Sequence, residues 1–193
     1  MVRYADDSVM GFQHEREAKQ FLRALRIRMA KFGLTLHPDK TRLIRFGRYA
    51  TQQRKERDER KPETFDFLGF THCCGRSSHG FKLIRLTVKK RMRATLAAIR
   101  ETMMRRRHEP IPVQGWWLRR VVQGYLNYYA VPGNMQRLNS FRTQVGRLWR
   151  KALLRRSQRN RMPWSRFARL VSKYLPHCRV VHPFPADRFY VNT

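Results

Sequence analysis

The spacing of apolar positions changes near residue 88, from short runs at strand period to long stripes at helix period. Residues 1–4 and 8–12 are apolar-leaning runs on either side of Ala5, Asp6 and Asp7, which predicts two strands with those three residues at the bend. From residue 15 to 32, Ala18, Phe21, Leu22, Leu25, Met29 and Phe32 recur at helical spacing with Lys and Arg between them. Gly33 suits the position just past the end of that helix. The stripe is expected to pack on a sheet. Residues 34–36 and 43–46 predict short strands around a turn at Pro38 and Asp39. Residues 51–62 are nearly all polar with mixed charge, as a loop, a linker or a solvated helix would be. Phe65, Phe67, Leu68 and Phe70 predict a buried strand, residues 75–80 a turn, and residues 81–88 a returning strand.

After Lys89 the pattern is helical throughout. Met92, Leu96, Ile99 and Met103 space as one helix, broken at residues 105–110. Trp116, Trp117, Val121, Val122, Tyr125, Leu126 and Tyr129 form a second. Met135, Leu138, Phe141, Val145, Leu148, Trp149 and Leu153 form a third. Trp164, Phe167, Leu170, Val171 and Tyr174 form a fourth, with Pro163 suited to its first turn. Most of these aromatic residues are expected in a core. Gly124 sits inside its helix despite a cost of roughly 1 kcal/mol relative to Ala, which predicts close helix packing there. The elements together predict an α+β chain whose second half is all helical.

Charge sharpens this picture. Lys and Arg number 43 against 13 Asp and Glu, a formal net charge of +30, which implies a polyanionic partner and nucleic acid first. A hydrophobic fraction of 41% with 12% aromatics excludes simple disorder. Between residues 88 and 162 only Glu101 and Glu109 are acidic, whereas a solvated helix face normally mixes signs because like charges four apart repel. Arg predominates over Lys there, consistent with bidentate phosphate contacts. The RNA-contact candidates are therefore Lys89, Lys90, Arg91, Arg93, Arg105, Arg106, Arg107, Arg150, Lys151, Arg155, Arg156, Arg159 and Arg161. No apolar run approaches the roughly 20 residues of a membrane span, and the N-terminus has neither a signal-peptide nor a transit-peptide pattern, so a cytoplasmic location and no membrane partner are expected. Cys73, Cys74 and Cys178 are odd in number, as in a reducing compartment. The spacing of His72, Cys73, Cys74 and His79 matches no standard zinc site.

Candidate chemistry sits at the first bend. Two adjacent carboxylates on a strand turn are hard oxygen donors of the kind Mg²⁺ uses in phosphoryl or nucleotidyl transfer, although Asp is also common in ordinary turns. Three segments follow in order: residues 33–41 as G-L-T-L-H-P-D-K-T, residues 67–70 as F-L-G-F, and residues 124–129 as G-Y-L-N-Y-Y. With Tyr4-Ala5-Asp6-Asp7, they resemble the group II intron-encoded reverse transcriptase/maturases. There a Y-A-D-D palm hairpin is followed by G-L-x-L-x-x-x-K-T, F-L-G-F and a G-x-x-N-Y-[YF] maturase signature. The Arg-rich helix over residues 138–154 and the ending from Arg179 through His182 and Pro183 to Phe189 resemble the same family.

The resemblance implies a partial reverse-transcriptase palm followed by an all-helical thumb/maturase region. Residues 1–88 would be the C-terminal part of the palm, 89–110 the start of the thumb, 111–175 the thumb/maturase-specific helical domain, and 176–193 a C-terminal tail. It further implies Asp6 and Asp7 as catalytic Mg²⁺ ligands, Tyr4 and Lys40 near the incoming nucleotide, and Phe67, Leu68 and Gly69 as a primer grip. In that family the fingers and first half of the palm, with another metal-binding Asp, precede the hairpin; Met1 stands three residues before Tyr4. The expectation is weak Mg²⁺ binding and no polymerase activity from this chain alone. The implied partners are group II intron RNA, with RNA template and DNA primer if a fingers-palm fragment complements the chain. The implied function is binding intron RNA to assist splicing and retrohoming; a catalytically inactive RNA-binding splicing factor and a gene remnant are the alternatives.

Overall fold

Two residues, Ala5 and Asp6, reverse the chain between β1 (Val2–Tyr4) and β2 (Asp7–Val9). Ala5 takes a positive φ of 51°, which suits the twist of a two-residue hairpin but costs a residue with a Cβ about 1–3 kcal/mol. The pairing is antiparallel, with Val2 opposite Val9, Arg3 opposite Ser8 and Tyr4 opposite Asp7. The structure, a computed structural model, describes residues 1–58, 62–78, 80–157 and 161–183. The architecture is α+β. The chain divides into two compact units, one of residues 1–67 with 74–82, the other of residues 68–73 with 83–193. Among the described residues no helix is long and apolar enough to cross a membrane.

In the first unit α1 (Glu15–Ala30) begins with Glu15 and Glu17, favourable beside the positive end of a helix dipole. It ends in a Schellman motif: the Leu34 N–H donates to the Met29 carbonyl at 3.0 Å and the Gly33 N–H to Ala30 at 3.1 Å, with Gly33 at φ 67°. The expected glycine stop is therefore present. The expected packing of the stripe is not. Only Ala18 is buried; Leu22, Leu25 and Met29 are half-buried, while Phe21 and Phe32 are exposed. A two-stranded ribbon of three residues a side offers too little surface to cover a sixteen-residue helix.

The turn at residues 38–40 is present, but residues 34–36 and 43–46 are not strands. Of the readings for the polar stretch, the helix holds over α2 (Ala50–Lys55), with Glu63 bridging Arg42 at 3.2 Å and Arg54 at 3.6 Å. The three strands β3 (Phe65–Phe67), β4 (Phe70–Ser77) and β5 (Gly80–Thr87) form a sheet in that order. Here Leu68 is not part of a continuous strand. Leu68 and Gly69 form a two-residue turn with φ of 49° and 77°, and so short a connection joins antiparallel strands. The strand also continues past Gly75 to Ser77, and Gly80, at a positive φ of 102°, opens β5.

The second unit holds α3 (Lys89–Arg105), α4 (Ile111–Tyr129), α5 (Met135–Leu154) and α6 (Trp164–Tyr174). α3 and α4 pack on α5, and α6 packs on α4. Their shared core includes Met103, Leu118, Val122, Leu138, Phe141, Val145, Trp149 and Leu153, each essentially inaccessible to solvent. The Tyr125 ring stacks on Phe141 at 3.7 Å between centroids. One polar strut crosses this core. The Trp149 Nε1–H donates to Gln114 Oε1 at 3.0 Å, and Gln114 Nε2 donates to the Arg106 carbonyl at 2.6 Å, so buried Gln114 has its hydrogen bonds met. The close approach lies at Gly115, where a Cβ would fall 2.5 Å from Tyr174 Cγ; at Gly124 a Cβ would meet open space. The expectation for Gly124 is thus corrected, because its face of α4 points to solvent.

Candidate nucleic-acid interface

The hairpin places Asp6 in the turn and Asp7 at the first position of β2, both exposed. Tyr4, opposite Asp7, is exposed, and the Arg3 Nε–H donates to the Ala5 carbonyl at 2.9 Å, bracing the bend. Lys40 is exposed in its turn, and Phe67 is half-buried in β3. Among the described residues no cluster of three or more His, Cys, Asp or Glu could hold a metal. Mg²⁺ is commonly held by one or two carboxylates, with water and substrate phosphates completing the octahedron. Asp6 and Asp7 are the side chains that would hold it, and their exposure leaves room for phosphates. When bound, the ion would neutralise charge developing on a transferring phosphoryl group. At the rejected zinc spacing, Cys74 Sγ accepts from the Gly47 N–H at 3.4 Å; His79 lies outside the described residues.

In the second unit the Leu68–Gly69 turn is pinned to the C-terminal end of α4. The Tyr128 hydroxyl donates to the Leu68 carbonyl at 2.8 Å, and the Phe70 ring lies 5.8 Å from that of Tyr128 and 5.3 Å from that of Tyr129. The Val88 N–H donates to the Gly69 carbonyl at 3.1 Å. A Cβ at Gly69 would stand 3.1 Å from Tyr129 Oη and 3.6 Å from Arg91 Cδ, so the turn, both tyrosines and the basic first turn of α3 meet in one place. The tail returns to the same end of α4: His182 Nε2 lies 2.6 Å from the Asn127 carbonyl, and the Val181 N–H donates to Ala130 at 2.9 Å.

Residues 1–72 match the reverse transcriptase (RNA-dependent DNA polymerase) family model. No curated protein and no solved structure matches the chain. The reverse-transcriptase match takes in the Asp6–Asp7 hairpin, α1, β3 and the Leu68–Gly69 turn. Tyr128 and Tyr129 lie outside it, yet they hold a turn inside it.

Beyond the reverse-transcriptase match the chain carries only Glu101, Glu109 and Asp187 as acidic residues. None of α3 to α6 has an acidic residue in its first turn, although that is where a carboxylate stabilises a helix. In α3 the first turn is instead Lys89, Lys90 and Arg91, all exposed, followed by exposed Arg93. Bound phosphates would offset this arrangement, since they are drawn both to the cations and to the free N–H groups. Arg105 is exposed with a loose 3.7 Å pair to Glu101. Arg107 Nε sits 2.9 Å from His108 Nε2. Arg106 has an internal use: its Nη2 pairs with Glu109 at 2.7 Å and its guanidinium carbon lies 5.4 Å from the Trp117 ring centroid. The hydrogen bonds from Arg106 hold the Glu109 carboxyl below its ordinary value. Half-buried Arg156 donates to the Glu109 carbonyl, and burial pulls its pKa down. Lys151, Arg155 and Arg161 are exposed, Arg150 is half-buried, and Arg159 lies outside the described residues.

Two groups escaped the sequence reading. Buried Asn134 receives the Thr87 N–H at 3.0 Å and donates to Thr87 Oγ1 at 2.8 Å and to the Tyr129 carbonyl at 2.9 Å, locking the end of β5 to the α4–α5 connection. Nothing in its local sequence marks it. Trp116 and Trp164, expected in the core, are 53% and 63% exposed, each with an Arg guanidinium over its ring.

Proposed function

We propose that this chain comprises the palm hairpin, thumb and maturase region of a group II intron reverse transcriptase/maturase, and that it binds intron RNA to assist splicing and retrohoming. The observation that carries the reading is the Leu68–Gly69 turn, within the reverse-transcriptase match, held by Tyr128 and Tyr129 of the G-Y-L-N-Y-Y segment beside Arg91. Two motifs that the resemblance links are thus physically dependent on each other. A helical unit almost free of carboxylates supports RNA as its partner, because phosphate neutralisation supplies affinity while shape supplies selectivity.

Catalysis is assigned a conditional place. Asp6 and Asp7 would hold Mg²⁺ together with an opposing Asp, Tyr4 and Lys40 would stand near the nucleotide, and Phe67, Leu68 and Gly69 near the primer. Competition binding tests the main reading: a group II intron RNA against an unrelated structured RNA of equal length, at several salt concentrations. A preference for the intron that persists near physiological salt is expected. Equal affinity, collapsing in parallel as salt rises, overturns the maturase reading.

A further inference from the structure

The geometry points to a stacking site for an unpaired nucleotide of single-stranded RNA on Trp164, its phosphates held by Arg147, Arg150, Lys151 and Arg155. This inference rests on RNA being the partner proposed above and adds a base-binding subsite that charge alone does not imply.

Those residues, with Leu154, line an open groove of about 500 Å³ between the last turns of α5 and the start of α6. Trp164 is the first residue of α6 and is 63% exposed, an unusual position for so large an apolar ring. The Arg150 guanidinium carbon lies 4.0 Å from the ring centroid, and its Nη2 donates to the Met162 carbonyl at 3.1 Å. The cation is thereby held over one face of the indole. Arg150 Nε is itself buried and has no hydrogen-bond partner among the described residues. Phe167 meets the ring edge-on at 6.0 Å and fixes its tilt.

Among the described residues, four cations and no carboxylate line this groove. Mutual repulsion disfavours that grouping and water disfavours the bare indole, and one ligand offsets both. It must carry closely spaced anions and a flat π-face. An unpaired nucleotide supplies phosphate and base together, and aromatic stacking accepts any base. A fully paired duplex supplies only phosphate, because its base faces are covered by their neighbours.

The test compares the full chain with Trp164→Ala, Trp164→Phe and Arg147→Gln variants, each verified as folded by circular dichroism. Each is titrated with a fluorescent single-stranded RNA oligonucleotide and with a fully paired RNA duplex of equal length. Trp164→Ala should weaken single-strand binding about ten-fold and duplex binding less than two-fold, with Trp164→Phe retaining most of the single-strand affinity. Arg147→Gln should weaken both alike and lower the salt slope by about one. If wild type binds both RNAs and Trp164→Ala matches it, or loses both equally, the stacking site is overturned while RNA binding stands. Binding of neither RNA overturns both.

Discussion

The two units handle the same kind of amphipathic stripe in opposite ways. In the second unit the stripes of α3, α4, α5 and α6 meet one another and close a continuous core around Trp149 and Phe141. In the first, Ala18 and Ala50 are the described hydrophobic residues that become buried, while Val2, Tyr4, Phe21, Ile27, Phe32 and Leu34 stay exposed. The unit that carries most of the family match is the one with little interior. The unit with the interior carries most of the net positive charge. Periodicity shows which face of a helix is apolar; only a second surface of comparable size turns that face into a core.

The largest test of this contrast is a pair of truncations. Trp149→Ala should cost about 3–5 kcal/mol, enough to remove most of the cooperative unfolding signal of the helical unit, whereas Phe21→Ala should cost under about 1 kcal/mol. Thermal denaturation followed by circular dichroism measures both; comparable losses would erase the distinction. A subtler pair separates two helical glycines. Gly115→Ala drives a methyl into the Tyr174 ring and should destabilise by about 1–3 kcal/mol, while Gly124→Ala should be neutral or stabilise by up to about 1 kcal/mol. Urea midpoints of the two variants give the sign directly.

The smallest effects are in pH, and the alkaline one belongs to the second unit. Hydrogen bonds from Lys19 and from Arg45 lower the Glu15 carboxyl in the first unit from 4.5 to about 2. Its contribution is present above pH 4.5 and lost as pH falls toward 2, and exposure keeps it minor. Burial raises the Tyr125 hydroxyl in the second unit from 10.0 to about 12. Its contribution is complete below pH 10 and lost as pH rises toward 12. Fluorescence of the helical unit should therefore change on the alkaline side, while the acid side carries small losses in both units, through Glu15 in the first and Glu109 in the second.

Much of the helical unit was legible because its stripes name their own buried faces: Met92, Leu96, Ile99 and Met103 are all interior, as are Leu138, Phe141, Val145, Trp149 and Leu153. The Tyr4–Asp7 hairpin was legible from a four-residue string. The strands expected at 34–36 and 43–46 were not realised, since an apolar run becomes a strand only with a partner for its backbone. Leu68 misled because turns with positive φ favour Gly, Asn or Asp, and a Leu there implies that other contacts hold the backbone in place. Those contacts come from Tyr128, which no local pattern connects to Leu68. Trp164 occupies a stripe position and so resembled core; its exposure depends on how α6 sits against α5.

The clamp at the end of α4 has a consequence for the order in which the molecule assembles. It joins Tyr128 to Leu68 across 60 positions, His182 to Asn127 across 55, and Asn134 to Thr87 across 47. Helix contacts close over a few residues, so α3, α4 and α5 can form before any of these long loops is shut. Each doubling of a closed loop adds only about 0.6 kcal/mol to its entropic cost, so the distance weighs little on final stability. It weighs on timing: the turn and the returning tail are expected to dock last, onto helices that local contacts can form first.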